Sequence, residues 1–192
     1  MKITAIDSAN DLFLVENILP MSLIEYIKTQ DFWQYSWEYQ EKQADTYRRK
    51  LITANQLLFS NIDQCYRDKL DQIAEVTNVK FIDQPIVEHR CWSSFWLDYH
   101  GFDCHIHEDG AERNYSPRMA MQIYLTESAD NLGTVFYNDA LGKQIRYAFP
   151  YKINTGYLML NHPGQWHGML NKVPAGHIRL SSYTYFMDFS HK

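Results

Sequence analysis

The chain has 192 residues, of which 45% are hydrophobic and 21% are charged, and its formal net charge is −5. These values are typical of one globular domain that buries a core without disulfide staples. The negative charge argues against a broad nucleic-acid-binding surface. The lack of any run of about 18 apolar residues argues against a membrane-spanning helix.

The three cysteines, Cys65, Cys91 and Cys104, are scattered along the chain and form no C-x-x-C pair. An odd number without paired spacing predicts neither a disulfide framework nor a thiolate zinc site, and it favours a reducing environment. Residues 1–7 lack the long apolar segment of a signal peptide. We therefore expect a cytoplasmic protein.

Two helices are predicted in the first third of the chain. The first follows Pro20 and covers residues 21–27, where apolar residues recur at helical spacing. The second begins after Ser60 as N-cap and ends at Asn78. Its buried stripe steps by four, four and three positions and consists of Ile62, Tyr66, Leu70 and Ile73.

After residue 80 the pattern changes to short runs rich in β-branched and aromatic residues, separated by turn residues such as Asn, Asp and Gly. The predicted strands cover roughly residues 86–99, 103–107, 119–125, 134–137, 144–148, 155–160, 165–169 and 178–187. Short strands at this spacing are typical of a sandwich or barrel. We therefore predict a single domain that is mainly β, with a helical support layer over about 1–80 and an eight-stranded jelly roll over about 81–192.

A candidate metal site begins at His107 and Asp109. Residues two apart in a strand point to the same face, so an imidazole and a carboxylate can converge on one point there. A third ligand, His167, lies in the segment 165–168, directly after a strand-like run. Two imidazoles and one carboxylate form a facial triad that leaves three positions of an octahedral iron open. The alternative is that these are ordinary polar residues at strand ends.

The last predicted strand carries Arg179 and Ser181 on one face, and Arg179 is its only charged residue. Burying an arginine is costly unless a fixed anion meets it. A dicarboxylate would supply that anion, because the guanidinium donors form a fork that matches a carboxylate.

Together these residues resemble the Fe(II)/2-oxoglutarate-dependent dioxygenases, in particular the prolyl-4-hydroxylase-like branch, over roughly residues 95–187. The family pattern is His-x-Asp, a distant His, an Arg shortly after it and a hydroxyl residue two positions beyond. Residues 172–176 form a predicted turn that absorbs a slightly long spacing before the Arg. The resemblance implies a double-stranded β-helix, with iron bound by His107, Asp109 and His167 and 2-oxoglutarate bound by Arg179 and Ser181.

Two tyrosines are carried over from the same resemblance. Tyr124 precedes Leu125 on the strand after His-x-Asp, where the family places a Tyr that reaches the distal carboxylate. Tyr99 stands where some members have a Tyr near the iron. The Gly-Gly-x-x-x-Phe element of many members is only partly present in residues 132–136.

The implied reaction couples the oxidative decarboxylation of 2-oxoglutarate to succinate with hydroxylation of a substrate, using Fe(II) and O2. The substrate is a small molecule or a peptidyl residue that no motif identifies, and the sequence predicts no oligomeric state. Specificity is expected on loops around the site, at residues 36–50, 110–118, 138–150 and near Trp166. An acidic substrate group could meet Arg113, Arg118 or Arg146, and the pocket could be lined by Trp92, Trp96 and Trp166.

A second family resemblance uses nearly the same residues. His105, His107 and Glu112, with His167 downstream, resemble the two motifs of a metal-binding cupin, which implies an isomerase, another dioxygenase or a binding module. This alternative leaves Arg179 without a role. A third possibility is a jelly-roll module that has lost its metal and has no enzymatic activity.

Overall fold

The computed structural model describes residues 1–7, 9, 11–31, 37–39, 49–52, 56–81, 91–109, 118–127, 130–186 and 189–191. The helices are α1 (Met21–Lys28), α2 (Gln56–Arg67) and α3 (Leu70–Val76). The strands before residue 100 are β1 (Lys2–Ala5), β2 (Leu12–Glu16), β3 (Trp37–Tyr39), β4 (Arg49–Ile52), β5 (Val79–Phe81) and β6 (Cys91–Asp98). The later strands are β7 (Arg118–Tyr124), β8 (Thr134–Tyr137), β9 (Ile145–Ala148), β10 (Thr155–Asn161), β11 (Trp166–Met169), β12 (Arg179–Phe186) and β13 (Phe189–His191).

An eight-stranded antiparallel sheet with the order β1-β2-β10-β7-β12-β6-β4-β3 forms the main layer. A three-stranded sheet with the order β11-β8-β9 packs on one face of it, and the helices pack on the other. The domain is therefore mainly β, a sandwich with a helical layer on its outer face. None of the described helices is long and apolar enough to cross a membrane.

The core between the main sheet and the helices is built by strand alternation. Successive residues of a strand point to opposite faces, so Met121, Leu158 and Leu180 meet the helices while their neighbours face the small sheet. The predicted helical stripe lies in this core, with Ile62 and Ile73 fully buried. Burial of such side chains contributes about 1.5 to 3 kcal/mol each.

The predicted second helix is wrong in its boundaries, because the structure has two helices there, α2 and α3. They are separated by a turn after Arg67, in which the amide of Lys69 donates to the carbonyl of Tyr66, three residues back instead of four. Ser60 lies inside α2 and is not its N-cap. The predicted end is confirmed: α3 stops at Val76, and Asn78 has a φ of 54° that no helix continues.

The helical layer over about 1–80 is not confirmed as an N-terminal unit. The first helix starts at Met21, and β1 and β2 precede it. The residues of β2 alternate onto both faces and pair with β10, so that Leu14 lies opposite Tyr157. The early chain therefore extends the main sheet at one edge, while β4 and β3 extend it at the other.

Seven of the eight strands predicted after residue 80 are confirmed, as β6 to β12, with ends that agree within a residue or two. For the first of them, residues 86–90 lie outside the described part of the chain, and the strand is seen from Cys91. The exception is 103–107, which is no strand and contributes one β-bridge, between His107 and His167. The strand ends could be predicted because turn residues mark them. Gly101 and Asn154, for example, both have the positive φ values that their turns require.

Arg146 does not point to the cavity described below; it joins β9 to the N-terminal segment of the chain. Its Nε donates to Asp7 at 2.8 Å, and its Nη2 donates to Asp11, which also contacts His162. The Arg146 hydrogen bond lowers the pKa of Asp7. Burial raises the pKa of Asp11, but the hydrogen bonds from Arg146 and His162 outweigh it and lower the pKa overall.

We expect Arg146→Met to lower the free energy of unfolding at pH 7 by about 2 kcal/mol, mostly through the less exposed Asp11. A carboxyl whose pKa is lowered by folding stabilises the protein above its unfolded pKa of about 3.9, and loses this contribution as the pH falls through the folded pKa. The difference from wild type should therefore shrink below about pH 4. Urea titrations from pH 3 to 7 measure it, with Lys143→Met as the exposed control. A pH-independent difference would contradict the pairing.

Candidate metal and anion site

The site starts from a pair of histidines on neighbouring chain segments. The amide of His107 donates to the carbonyl of His167 at 2.9 Å, and the reverse bond is 2.8 Å. This exchange makes them direct neighbours across an antiparallel bridge. Their ring centroids are 4.5 Å apart. The bond from the amide of Met169 to the carbonyl of Cys104 continues the pairing.

Gly168 permits this close approach. A Cβ atom at this position would lie 2.8 Å from the carbonyl oxygen of Cys104 and 3.2 Å from the backbone of His105. Real Cβ atoms do not come so close to backbone, so any side chain here must push the two segments apart.

We expect Gly168→Ala to cost about 1 to 3 kcal/mol of stability through overpacking and to weaken metal binding, because the two histidines separate. Gly176→Ala is the control. That glycine has a φ of +79° but open space around it, so its replacement strains the backbone away from the site. Thermal unfolding and metal titration should show both effects for Gly168→Ala and the stability effect alone for Gly176→Ala. Unchanged metal affinity in Gly168→Ala would contradict this role.

Asp109 completes a compact ligand group with the two histidines. Its carboxylate oxygens lie 3.5 Å from Nε2 of His107 and 3.8 Å from Nε2 of His167. One ligand atom from each residue lies within 4.8 Å of the other two. Within the described part of the chain, this is the one cluster of His, Cys, Asp or Glu with such spacing.

Both imidazoles are oriented by their own backbone. Nδ1 of His107 lies 2.8 Å from the carbonyl of His105, and Nδ1 of His167 lies 2.9 Å from the carbonyl of Gln165. A carbonyl accepts only from a protonated nitrogen, so Nδ1 carries a hydrogen and Nε2 is the nitrogen that would bind a metal. Phe136 stacks on the ring of His167 at 5.1 Å and fixes its plane. Two Nε2 atoms and one carboxylate suit a divalent transition metal such as Fe(II).

Without a metal, Asp109 and His107 form a charged pair. A bound cation would displace the proton from Nε2 of His107. Burial raises the pKa of Asp109, but the hydrogen bond to His107 and the charges around it outweigh this and lower the pKa to about 2. Burial lowers the pKa of His107, but its contacts with Asp109 and Cys104 outweigh that effect and raise the pKa to about 10. The carboxylate of Asp109 is therefore charged throughout the physiological pH range.

Tyr183 is a contributor that the sequence reasoning missed. Its hydroxyl donates to Oδ2 of Asp109, and it lines the same cavity. It lies four residues after Arg179 on β12 and so shares its face, which is the one signal that could have identified it. The hydrogen bond fixes the rotamer of Asp109.

We expect Tyr183→Phe to weaken Fe(II) binding by about tenfold, because partners that orient a metal ligand contribute about 10- to 100-fold in affinity. Tyr185→Phe removes a hydroxyl from the same cavity wall and is the control. Competition with a fluorescent chelator under anaerobic conditions measures both. Equal affinities for the two variants would show that the hydroxyl does not orient Asp109.

Arg179 lies in the sheet interior and is 2% exposed. Its Nη1 donates to Oδ2 of Asp98 at 2.6 Å, and its Nε donates to the carbonyl of Leu132 at 3.0 Å. Its Nη2 donates to Gln122 at 3.2 Å and Thr134 at 3.3 Å. The fixed anion that a buried arginine requires is therefore already present, because β6 places Asp98 directly opposite Arg179. Binding of a dicarboxylate by Arg179 stays a prediction.

A cavity of about 150 Å³ between the two sheets joins the two parts of the site. It is lined by the ligand group His107, Asp109 and His167 and by Arg179. The aromatic side chains Trp96, Tyr157, Tyr183 and Tyr185 form much of the remaining wall. A small anionic molecule in this cavity would thus contact both the ligand group and the guanidinium.

Two further predicted residues contact Arg179 or the side chains that it binds. The Tyr124 hydroxyl donates to Thr134 at 3.1 Å, and its ring lies 5.2 Å from the guanidinium carbon. Ser181 accepts a hydrogen bond from Gln122 at 3.0 Å. Neither is among the described residues that line the cavity, so their direct contact with a co-substrate stays a prediction.

Tyr99 is not placed near the ligand group, which corrects the expectation. Because Asp98 points toward Arg179, the next residue points to the opposite face, and Tyr99 packs against the helix-side core. The cupin-like set can be followed only in part. The ring of His105 is exposed, and its carbonyl is what contacts His107. Glu112 lies outside the described residues.

Several expected substrate contacts also lie outside the described part of the chain. These are Arg113, the side chains of Arg118 and Trp92, and most of the loops 36–50 and 110–118. Trp96 is confirmed as a cavity residue.

No protein-family model matches the sequence, and no curated protein matches it. Solved structures do. The prolyl-4-hydroxylase of Pseudomonas putida aligns with a TM-score of 0.60 and 16% identity, over 95% of this chain and 96% of the other. HygX of Streptomyces hygroscopicus, with nickel and 2-oxoglutarate bound, aligns with a TM-score of 0.59 and 11% identity over 92% and 82%. A prolyl hydroxylase of Trichoplax adhaerens, in complex with a peptide fragment of the hypoxia inducible factor oxygen degradation domain, gives 0.64 and 13% over 93% and 84%. The chain therefore shares its fold with these three proteins.

Proposed function

We propose that this protein is an Fe(II)-dependent dioxygenase that couples oxidative decarboxylation of 2-oxoglutarate to succinate with hydroxylation of a second substrate. The observation that carries the proposal is one cavity lined by both a His-Asp-His ligand group and a buried arginine. We also assign the sandwich to the double-stranded β-helix class, with residues 1–192 acting as one domain.

His107, Asp109 and His167 would hold the iron, because their donor atoms converge and both imidazoles present Nε2. Three protein ligands leave the remaining positions of an octahedral ion open. When bound, iron supplies the oxidative chemistry with 2-oxoglutarate and O2. The protein residues position the ion and keep Asp109 charged, and Tyr183 fixes the carboxylate by its hydrogen bond.

Arg179 would bind the distal carboxylate of 2-oxoglutarate. Its Nη2 contacts Gln122 and Thr134, which line the cavity with it, and these bonds of 3.2 and 3.3 Å are long enough to yield to a charged acceptor. Tyr124 and Ser181 support this wall through Thr134 and Gln122. The residues present therefore fit a dicarboxylate.

The substrate is a small molecule or a peptidyl residue. The similar Trichoplax enzyme was solved with a peptide, which supports a test of peptides alongside small metabolites. Trp96 and Tyr185 offer an aromatic wall beside the ligand group, and aromatic walls favour flat or apolar groups. The scattered cysteines support a cytoplasmic location.

An anaerobic titration of the Fe(II)-loaded protein with 2-oxoglutarate tests the proposal. We expect a saturable visible absorption band from co-substrate chelated at the metal, and succinate release when O2 is admitted. Absence of the band with iron still bound would move the assignment to another metal-dependent reaction. Absence of iron binding would favour a module without enzymatic activity.

A further inference from the structure

The buried ion pair of Arg179 and Asp98 lies at the place where the proposed co-substrate needs a cation. The two residues are opposite each other in the register of β12 and β6, and their bond is 2.6 Å. Their side chains are 2% and 0% exposed. The cation of the site is thus already paired with an internal carboxylate.

Contacts other than the one with Asp98 also hold the guanidinium of Arg179. The Nε of Arg179 donates to the carbonyl of Leu132 at 3.0 Å. The rings of Tyr124 and Tyr151 lie 5.2 and 6.0 Å from its central carbon, within the range of cation–π contact. These contacts orient Arg179 whether or not the carboxylate beside it is charged.

The two sides of the guanidinium differ. The acceptors at Nη2, Gln122 and Thr134, line the cavity together with Arg179, whereas Asp98 at Nη1 is not among the cavity residues that the structure describes. An incoming carboxylate would meet the Nη2 side, and Asp98 would stay on the other. Two anions would then share one buried cation, and charges of like sign repel strongly in a low-dielectric interior.

We propose that Asp98 determines the affinity of the site for 2-oxoglutarate by competing with the distal carboxylate for Arg179. This inference rests on the proposed function. The internal carboxylate balances the buried arginine when no co-substrate is bound, and it weakens dicarboxylate binding. Asp98 thereby lowers the affinity for ligands that carry a distal carboxylate. Binding of the keto acid end, which would meet the ligand group, is unaffected.

The test is Asp98→Asn, which keeps the size and a hydrogen-bond acceptor but removes the charge. Dissociation constants are measured anaerobically on Fe(II)-loaded protein for 2-oxoglutarate and for 2-oxobutyrate, which lacks the distal carboxylate. We expect 2-oxoglutarate to bind about 10- to 100-fold more tightly to the variant than to wild type, with 2-oxobutyrate unchanged. Equal or weaker binding of 2-oxoglutarate, or equal tightening of both ligands, would overturn the proposal.

Asp98→Asn leaves a buried charge without its full counter-charge and could lower stability. If the variant does not fold alone, succinate or 2-oxoglutarate should restore its folding, and 2-oxobutyrate should not. A variant that stays unfolded with either dicarboxylate contradicts the proposal. Wild-type protein that binds iron but no 2-oxoglutarate would instead overturn the proposed function, so the two failures are distinguishable.

Discussion

Replacing Asp109 with alanine is expected to weaken Fe(II) binding by more than about 100-fold, the upper range for residues that only orient a ligand. The side chain is the one carboxylate in the ligand group, and its oxygens lie within 4 Å of both Nε2 atoms. Two neutral imidazoles alone neither balance a divalent cation nor fix its geometry. Turnover should be lost with the metal. Calorimetric titration with Fe(II) or Mn(II) under anaerobic conditions measures the affinity.

Two controls make the result specific to Asp109. Asp103→Ala removes a nearby carboxylate that pairs with Lys172 and is not part of the ligand group. His105→Ala removes an imidazole that only the cupin-like alternative uses as a ligand. Both should bind Fe(II) as wild type does. Metal affinity that survives Asp109→Ala and falls in His105→Ala would favour the cupin-like set.

The ligand group could be predicted because its pattern is local. His107 and Asp109 are two residues apart, and His167 follows a strand that its apolar run reveals. The late strands were also predictable, since Asn and Gly at the turns mark where each run ends. The parity of β12 correctly predicted that Arg179 and Ser181 share a face, where both contact Gln122. His107 and Asp109 converge without the predicted strand, through the single bridge between His107 and His167.

The partner of Arg179 could not be predicted in the same way. Asp98 is 81 positions away in the chain, and only the register of β6 against β12 brings the two side chains together. Tyr183 contacts Asp109 across 74 positions, again through tertiary structure that a local pattern does not reveal. The strands before α1 were missed because they are short and depend on long-range pairing, β2 with β10 and β1 with β2, which a local pattern does not reveal.

Replacing Arg179 with methionine is expected to lower the free energy of unfolding by about 3 to 5 kcal/mol, because it removes one partner of a buried ion pair and leaves the carboxylate in the core. The loss should be partly recovered in the double variant Arg179→Met with Asp98→Asn, in which the charge is gone as well. Urea unfolding of the two single variants, the double variant and wild type forms a cycle that measures the coupling.

The same variant separates the anion site from the metal site. The ligand group does not contact Arg179 in the described contacts, so Arg179→Met should bind Fe(II) with wild-type affinity. The 2-oxoglutarate concentration needed for half-saturation should rise by about 100-fold, as expected for a lost charge-assisted hydrogen bond in a buried site. A folded variant that binds Fe(II) normally and still saturates at the wild-type 2-oxoglutarate concentration would show that another residue binds the distal carboxylate. Loss of both ligands together would mean that the arginine acts through the fold, because the ion pair with Asp98 joins the neighbouring strands β12 and β6 of the main sheet.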